Sequence, residues 1–266
     1  MKYCPECGYK NKRKYPVCPV CGRVLATPVY GVDGKIRFAK PNWFIRLLRK
    51  IGLCRDRTQP TVRELREMKM KGRPLVGQTL VFGARAQGRG TLARGIIWRV
   101  LAEEDDRVLV ISRYGLEEGK YHRPAGDVTW EKSAVRHYLN NEFLQTTFTE
   151  AERGHIPAVE NVTEGNFLYG TVGGDATCDR VFLLSREEAL RYFPDEASRM
   201  AVPTERAMMS GVLSDPVRGS CRWWLRTPGK TQSSVCSVGY EGRIYSVGNY
   251  VDYSVFAVRP AMWIYL

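Results

Sequence analysis

With 266 residues, 44% of them hydrophobic and 26% charged, the chain has the make-up of a folded protein with room for one sizeable domain and a small module. No run approaches the roughly 18 uncharged apolar residues of a membrane-spanning helix, and the opening MKYCPECGYK has no apolar signal core, so a cytoplasmic, reducing location is expected. The net charge of +13 is concentrated at the front, where residues 1–95 hold 22 Lys/Arg against 5 Asp/Glu and leave a mildly acidic remainder.

Cys4, Cys7, Cys18 and Cys21 read C-P-E-C, ten residues, C-P-V-C. Gly8 and Gly22 follow the two pairs and permit the positive φ that such knuckles need. Four thiolates so spaced can surround Zn²⁺ tetrahedrally at about 2.3 Å. The spacing therefore predicts a structural zinc ribbon over residues 1–25, whose folding free energy comes mainly from the metal. Lys10, Lys12, Arg13 and Lys14 lie between the knuckles. They suit phosphate contacts with a nucleic acid through residues 1–75, or a solvated loop on a protein-docking module.

Residues 26–78 read as a basic linker with short amphipathic helices. "NWFIRLLRKIGL" puts Trp43, Phe44, Leu47, Leu48 and Ile51 on one face, a pattern suited to packing on its own domain, to a partner's groove or to a membrane surface. "TVRELREMKMKG" predicts a second helix, opened by Thr61 with Glu64 at capping-box spacing. Cys54 stands alone.

From Gln78 the pattern turns to short strands. "IIWRVLAEEDDRVLVIS" breaks at 103–106 as a hairpin would. "TWEKSAVRHYLNNEFL" has helical spacing, with Thr129 or Asp127 as the expected cap. "DRVFLLS" is a buried strand, and Ser185 with Glu188 repeats the capping-box spacing. The last apolar strand, around 258–264, is expected to be buried and to pair with an early strand near Leu80 and Phe82. Few helices and many short strands predict an α+β domain over residues 79–266.

The blocks W-x-V-L (98–101), L-V-I-S (109–112), T-W-E-x-S-x-x-R-x-x-L-N (129–140), V-F-L-L-S (181–185), W-W-L-R-T-P-G (223–229) and V-R-P-A (258–261) run in this order through the body. In these blocks the chain resembles a bacterial and phage family of the formylglycine-generating-enzyme-like branch of the C-type-lectin fold. That family includes variable proteins of diversity-generating retroelements. The resemblance implies a C-type-lectin-like scaffold with a small zinc ribbon in front, presenting a mutable binding face near its C-terminus.

Catalytic patterns are sparse. His122, His137 and His155 are widely separated and fit no ligand spacing, and no G-x-S-x-G or H-E-x-x-H occurs. Formylglycine-generating enzymes use a copper-holding cysteine pair, which Cys178, Cys221 and Cys236 do not reproduce. Calcium-type lectin motifs, E-P-N, Q-P-D and W-N-D, are also missing. The reading is therefore non-enzymatic.

The stretch from Ser237 to Ser254 is different: among its 18 residues are four Tyr, three Gly and three Ser. Tyr offers stiff, amphipathic contact area, and Ser, Gly and Asn offer adaptable hydrogen bonding. Tyr240, Arg243, Tyr245, Ser246, Asn249, Tyr250, Asp252, Tyr253 and Ser254 are the expected contact residues, set in a framework of Val238, Gly242, Ile244, Val251, Val258, Arg259 and Pro260. A protein ligand is the expected partner. A nucleic-acid-associated accessory protein is the alternative function, and a formylglycine-type oxidase relative a more distant one.

Overall fold

The structure, a computed structural model, describes residues 59–88 and 93–266 together with four two-residue strands in the first 58 residues. It divides into two compact units, Met1–Thr58 with Pro216–Gly219, and Gln59–Asp215 with Ser220–Leu266. In the first unit, β1 (Lys2–Tyr3) pairs with β2 (Lys10–Asn11), and β3 (Val29–Tyr30) with β4 (Ile36–Arg37), both antiparallel. The four ribbon cysteines, Cys54 and the apolar stripe of residues 43–51 lie outside the described residues.

The second unit begins at Gln59, ahead of position 79. Helix α1 (Val62–Met70) opens on the expected capping box, in which Thr61 accepts from Glu64 N–H while the Glu64 carboxylate accepts from Thr61 N–H. These bonds favour the ionised form and hold the Glu64 carboxyl below its usual range. Leu65 on this helix and Leu75 after it are fully buried, so the segment belongs to the core of the body.

The remaining strands in chain order are β5 (Thr79–Ala86), β6 (Ala93–Glu103), β7 (Arg107–Ser112), β8 (Glu117–Glu118), β9 (Val159–Asn161), β10 (Thr177–Asp179), β11 (Trp223–Pro228), β12 (Ser234–Val238), β13 (Ile244–Tyr250), β14 (Ala257–Val258) and β15 (Ala261–Tyr265). A four-stranded antiparallel sheet runs β15-β7-β6-β5. A five-stranded sheet runs β13-β12-β11-β14-β8, with β11 and β14 parallel. The body is thus a mixed α+β domain. Among the described residues, no helix is long and apolar enough to cross a membrane.

Four sequence expectations need correction. The "DRVFLLS" segment is buried from Val181 to Ser185 but is not a strand, since β10 ends at Asp179 and Phe182 makes an isolated bridge to Ala261. β15 pairs with β7, from Ala261↔Ile111 to Tyr265↔Arg107, and not with the Leu80–Phe82 region. Leu80 and Phe82 belong to β5 at the opposite edge, because the β6–β7 hairpin fills the middle of the sheet. Period-2 burial tells which face a strand covers but not which strand lies beside it.

The helix after Trp130 starts at Ala134 with Ser133 as its cap, because residues 130–132 first make a turn that Ser133 closes by donating to Trp130 O (2.9 Å). Neither Thr129 nor Asp127 caps it. It then loosens into a π-helical turn, Leu139–Phe143.

Trp263 is only partly buried, with the Arg107 guanidinium 4.5 Å from its ring centroid. Alternation puts it on the outer side of a strand whose Met262 and Ile264 fill the core.

Candidate ligand-binding face

The Tyr-rich stretch is the edge of the five-stranded sheet. β12 is an interior strand and is buried along its whole length, whereas β13 alternates between exposed and half-buried positions. The turn between them depends on Gly242, whose φ is +86°, and a Cβ there would sit 1.8 Å from Glu196 O. Only glycine fits, which fixes this corner of the framework. Gly248, at φ +79°, marks the irregular part of β13, where Lys230 N–H donates to Val247 O (2.8 Å).

On this frame Tyr245, Tyr250 and Tyr253 are 40%, 57% and 44% exposed, and Arg243 is exposed too. The Tyr245 hydroxyl donates to Glu241, and the carboxylate holds the phenol above its usual range. Tyr240, Ser246, Asn249, Asp252 and Ser254 are half-buried. Two of these are turned to internal work: Asn249 donates to Ser237 Oγ (2.9 Å), and Ser246 Oγ accepts from Arg186 Nε (2.9 Å). Tyr240 lies against Arg222, whose guanidinium is 4.8 Å from its ring centroid. The stretch thus yields one group of exposed residues and, in Tyr240, Ser246 and Asn249, a second group that braces it.

The exposed end joins the core through aromatic rings. Centroid separations are 5.8 Å for Tyr250–Tyr253, 6.5 Å for Tyr253–Phe256, 4.1 Å for Phe256–Trp224 and 6.1 Å for Trp224–Tyr121. Trp224, Phe256 and Tyr121 are fully buried. Rings packed in series hold the outer tyrosines in few rotamers, which lowers the entropy lost on binding.

Sequence reading missed two contributors. Val247, between the tyrosines on β13, is 55% exposed. The loop at 162–172 displays Phe167, Leu168 and Tyr169, with Phe167 77% exposed. Buried Asn166 anchors it, donating from Nδ2 to Pro228 O (3.0 Å) and Ser246 O (2.9 Å), while its Oδ1 accepts from Leu168 N–H. The available signal was N-F-L-Y-G, three large apolar residues between turn formers.

The family-like blocks serve the interior. From 129–140, Trp130 Nε1 and Arg136 Nε donate to buried Asp179 at 2.9 and 2.7 Å, joined by Asn140 Nδ2 at 3.3 Å and by Thr177 Oγ1 at 2.6 Å. Asn140 also donates to Arg136 O, where the helix loosens. Arg226 from W-W-L-R-T-P-G makes two hydrogen bonds to the Glu188 carboxylate and one to Leu183 O (2.7 Å). Arg259 from V-R-P-A donates to Ser112 O (2.8 Å) and Arg199 O (3.2 Å) and lies 4.8 Å from the Trp223 ring centroid. Burial lowers its pKa to about 9.

The described cysteines are free thiols, and only Cys178 is exposed. Burial pushes Cys221 and Cys236 up to about 12. Cys236 Sγ donates to Pro228 O (3.2 Å), whereas Cys221 abuts Gly115, so the two pack in different surroundings. His122 Nδ1 accepts from Ala134 N–H (3.2 Å), His137 pairs with Asn141, and His155 meets Tyr265 O. Among the described residues, no three His, Cys, Asp or Glu side chains are grouped to hold a metal.

No curated protein and no solved structure matches the chain. A family described as Domain of unknown function (DUF6273) matches residues 105–266, which hold the Asp179, Arg226 and Arg259 clusters and the whole Tyr-rich edge. The chain belongs to that family.

Proposed function

We propose that the body is a non-enzymatic binding domain on a C-type-lectin-like scaffold, and that the β13 edge and the turn after it form its contact face for a protein ligand. The observation that carries this reading is the exposure of Tyr245, Val247, Tyr250 and Tyr253 beside a strand buried throughout. Rigid aromatics on a fixed frame are the residues that dominate interface energetics. Exposed positions change stability by only about 0.5 kcal/mol, so such a face tolerates rewriting of the kind diversity-generating retroelements perform. Diversification in this gene would leave a reverse transcriptase gene beside a near-copy of its 3′ end.

The reading is tested by randomising Tyr240, Arg243, Tyr245, Asn249, Tyr250, Asp252 and Tyr253 together and displaying the library. Most members should fold, and selection on unrelated folded proteins should return binders to several of them. A library in which most clones are unfolded, or which yields no binder, overturns the reading.

The front of the chain carries separate proposals. Cys4, Cys7, Cys18 and Cys21 bind one structural Zn²⁺, so Cys7→Ser removes zinc in elemental analysis. The cationic excess of residues 1–95 favours, as a second reading, an accessory role in nucleic-acid binding. Replacing Lys10, Lys12, Arg13 and Lys14 with Gln should then weaken binding to mixed DNA or RNA and flatten its salt dependence.

A further inference from the structure

The turn at 250–253 has a geometry more particular than a broad contact face requires. Tyr250 and Tyr253 meet edge to face, with planes at 70° and centroids 5.8 Å apart. Tyr253 N–H donates to Tyr250 O (3.1 Å) and closes the turn, and Phe256 stacks on Tyr253. Both tyrosines are exposed, so their rings present two walls at 70° to each other at the surface. Asp252 stands on the same turn, half-buried, and makes no salt bridge among the described residues. The neighbouring rings already hold a cation of the protein's own, since the Arg222 guanidinium lies 4.8 Å from the Tyr240 centroid and 5.9 Å from that of Phe256.

Building on the binding-face reading, we propose that this corner receives a cationic side chain of the ligand, an arginine or lysine, against the tyrosine faces with Asp252 as counter-charge. A cation over an aromatic face gains from the ring quadrupole, and a guanidinium also stacks flat on it. The charges on the adjoining segment make the role of Asp252 decisive. Residues 119–122 run beside 251–256, through Gly119 N–H to Phe256 O and His122 N–H to Val251 O, and so bring Lys120 and His122 alongside, with Glu118 before them and Arg123 after. Lys120, Arg123 and Arg222 oppose a ligand cation, and Asp252 and Glu118 are the carboxylates on these two segments that offset them.

The experiment is a nuclear magnetic resonance titration of the full chain with N-acetyl-arginine methylamide, following the ring protons of Tyr250 and Tyr253. The neutral citrulline twin and the anionic aspartate analogue serve as comparison probes. The arginine probe should bind with both rings shifting, and the citrulline twin several-fold more weakly. Tyr250→Ala and Tyr253→Ala should each lower affinity by about two- to tenfold, while Tyr250→Phe, which keeps the ring, should retain it. Asp252→Asn should weaken binding and Lys120→Gln should strengthen it. Equal binding of arginine and citrulline overturns the proposal, as does tighter binding of the aspartate probe or indifference to Tyr250→Ala. A displayed library that folds and yields binders while the arginine probe shifts neither ring overturns the corner alone. Failure of the library with a responsive corner overturns the broad face alone.

Discussion

The Asp179 cluster and the β13 edge are both rich in polar and aromatic residues, and they use them in opposite ways. At Asp179 the donors are directed inward: Trp130, Arg136, Asn140, Asn161 and Thr177 converge on one carboxylate whose side chain is fully buried. On β13, Tyr245 and Tyr250 face outward, and the Tyr245 hydroxyl bonds its near neighbour Glu241. Residue type does not separate the two regions. What separates them is whether each polar group has a fixed partner, because a buried polar group left unpaired costs about 1–3 kcal/mol whereas an exposed one returns to water. The interior clusters therefore specify the scaffold, and the edge is left open to contact.

The contrast is broken most forcefully at its buried end. Asp179→Ala removes the acceptor shared by the Arg136 guanidinium and four further donors, on Trp130, Asn140, Asn161 and Thr177, and should cost about 3–5 kcal/mol in chemical denaturation, the range for removing one partner of a buried pair. Asp179→Asn, which keeps an acceptor, should cost less. Arg259→Met should be milder still, since no carboxylate balances that cation among the described residues and the methionine retains contact with Trp223 and Phe193. A destabilisation by Asp179→Ala no larger than that of a surface substitution would show that the cluster does not hold the scaffold.

Thiol chemistry sharpens the same contrast. Cys221 and Cys236, pushed up to about 12, hold far less thiolate at pH 8 than an ordinary thiol, and only Cys178 is exposed. In the native protein, alkylation read by mass spectrometry should label Cys178 first, and Cys221 and Cys236 only after unfolding. The sign for stability follows: the folded state keeps these protons where the unfolded state loses them, so stability is full below about pH 9 and declines as pH rises towards 12. Native labelling of Cys236 as fast as Cys178 would show the interior beneath β13 to be open.

Trp263→Ala tests an intermediate case. Its ring is partly exposed and covered on one side by Arg107, so the expected cost is about 1–2 kcal/mol, below the 3–5 of a fully buried tryptophan. That difference also shows what was legible in the sequence. Local signals read well: the capping boxes at Thr61 and Ser185, the β6–β7 hairpin, and the apolar character of the last strand all follow from spacing and turn chemistry. Long-range partners did not. Leu80, Leu109 and Ile111 are equally apolar, and nothing local says that β15 lies beside β7. Asn166 carries no local signal, because its partners Pro228 and Ser246 are 62 and 80 residues away. The Tyr-rich edge was visible from composition, but its split into exposed and bracing residues needed the backbone.

The smallest effects belong to the edge itself. Tyr245, Tyr250 and Tyr253 are surface side chains, 40%, 57% and 44% exposed, so replacing each with Ser should shift the unfolding midpoint by about 0.5 kcal/mol equivalent. Arg243→Ala, also on an exposed side chain, should do the same. Asn249→Ala is the informative exception, because its 2.9 Å bond to the buried Ser237 hydroxyl should cost about 1 kcal/mol. If the three tyrosines prove as costly as Asn249, they are packing residues and the edge is part of the core. If Asn249 proves as silent as they are, bracing and contact positions are not distinct and the whole stretch is open surface. Denaturant midpoints of the five single variants, with unchanged slopes, decide between these outcomes.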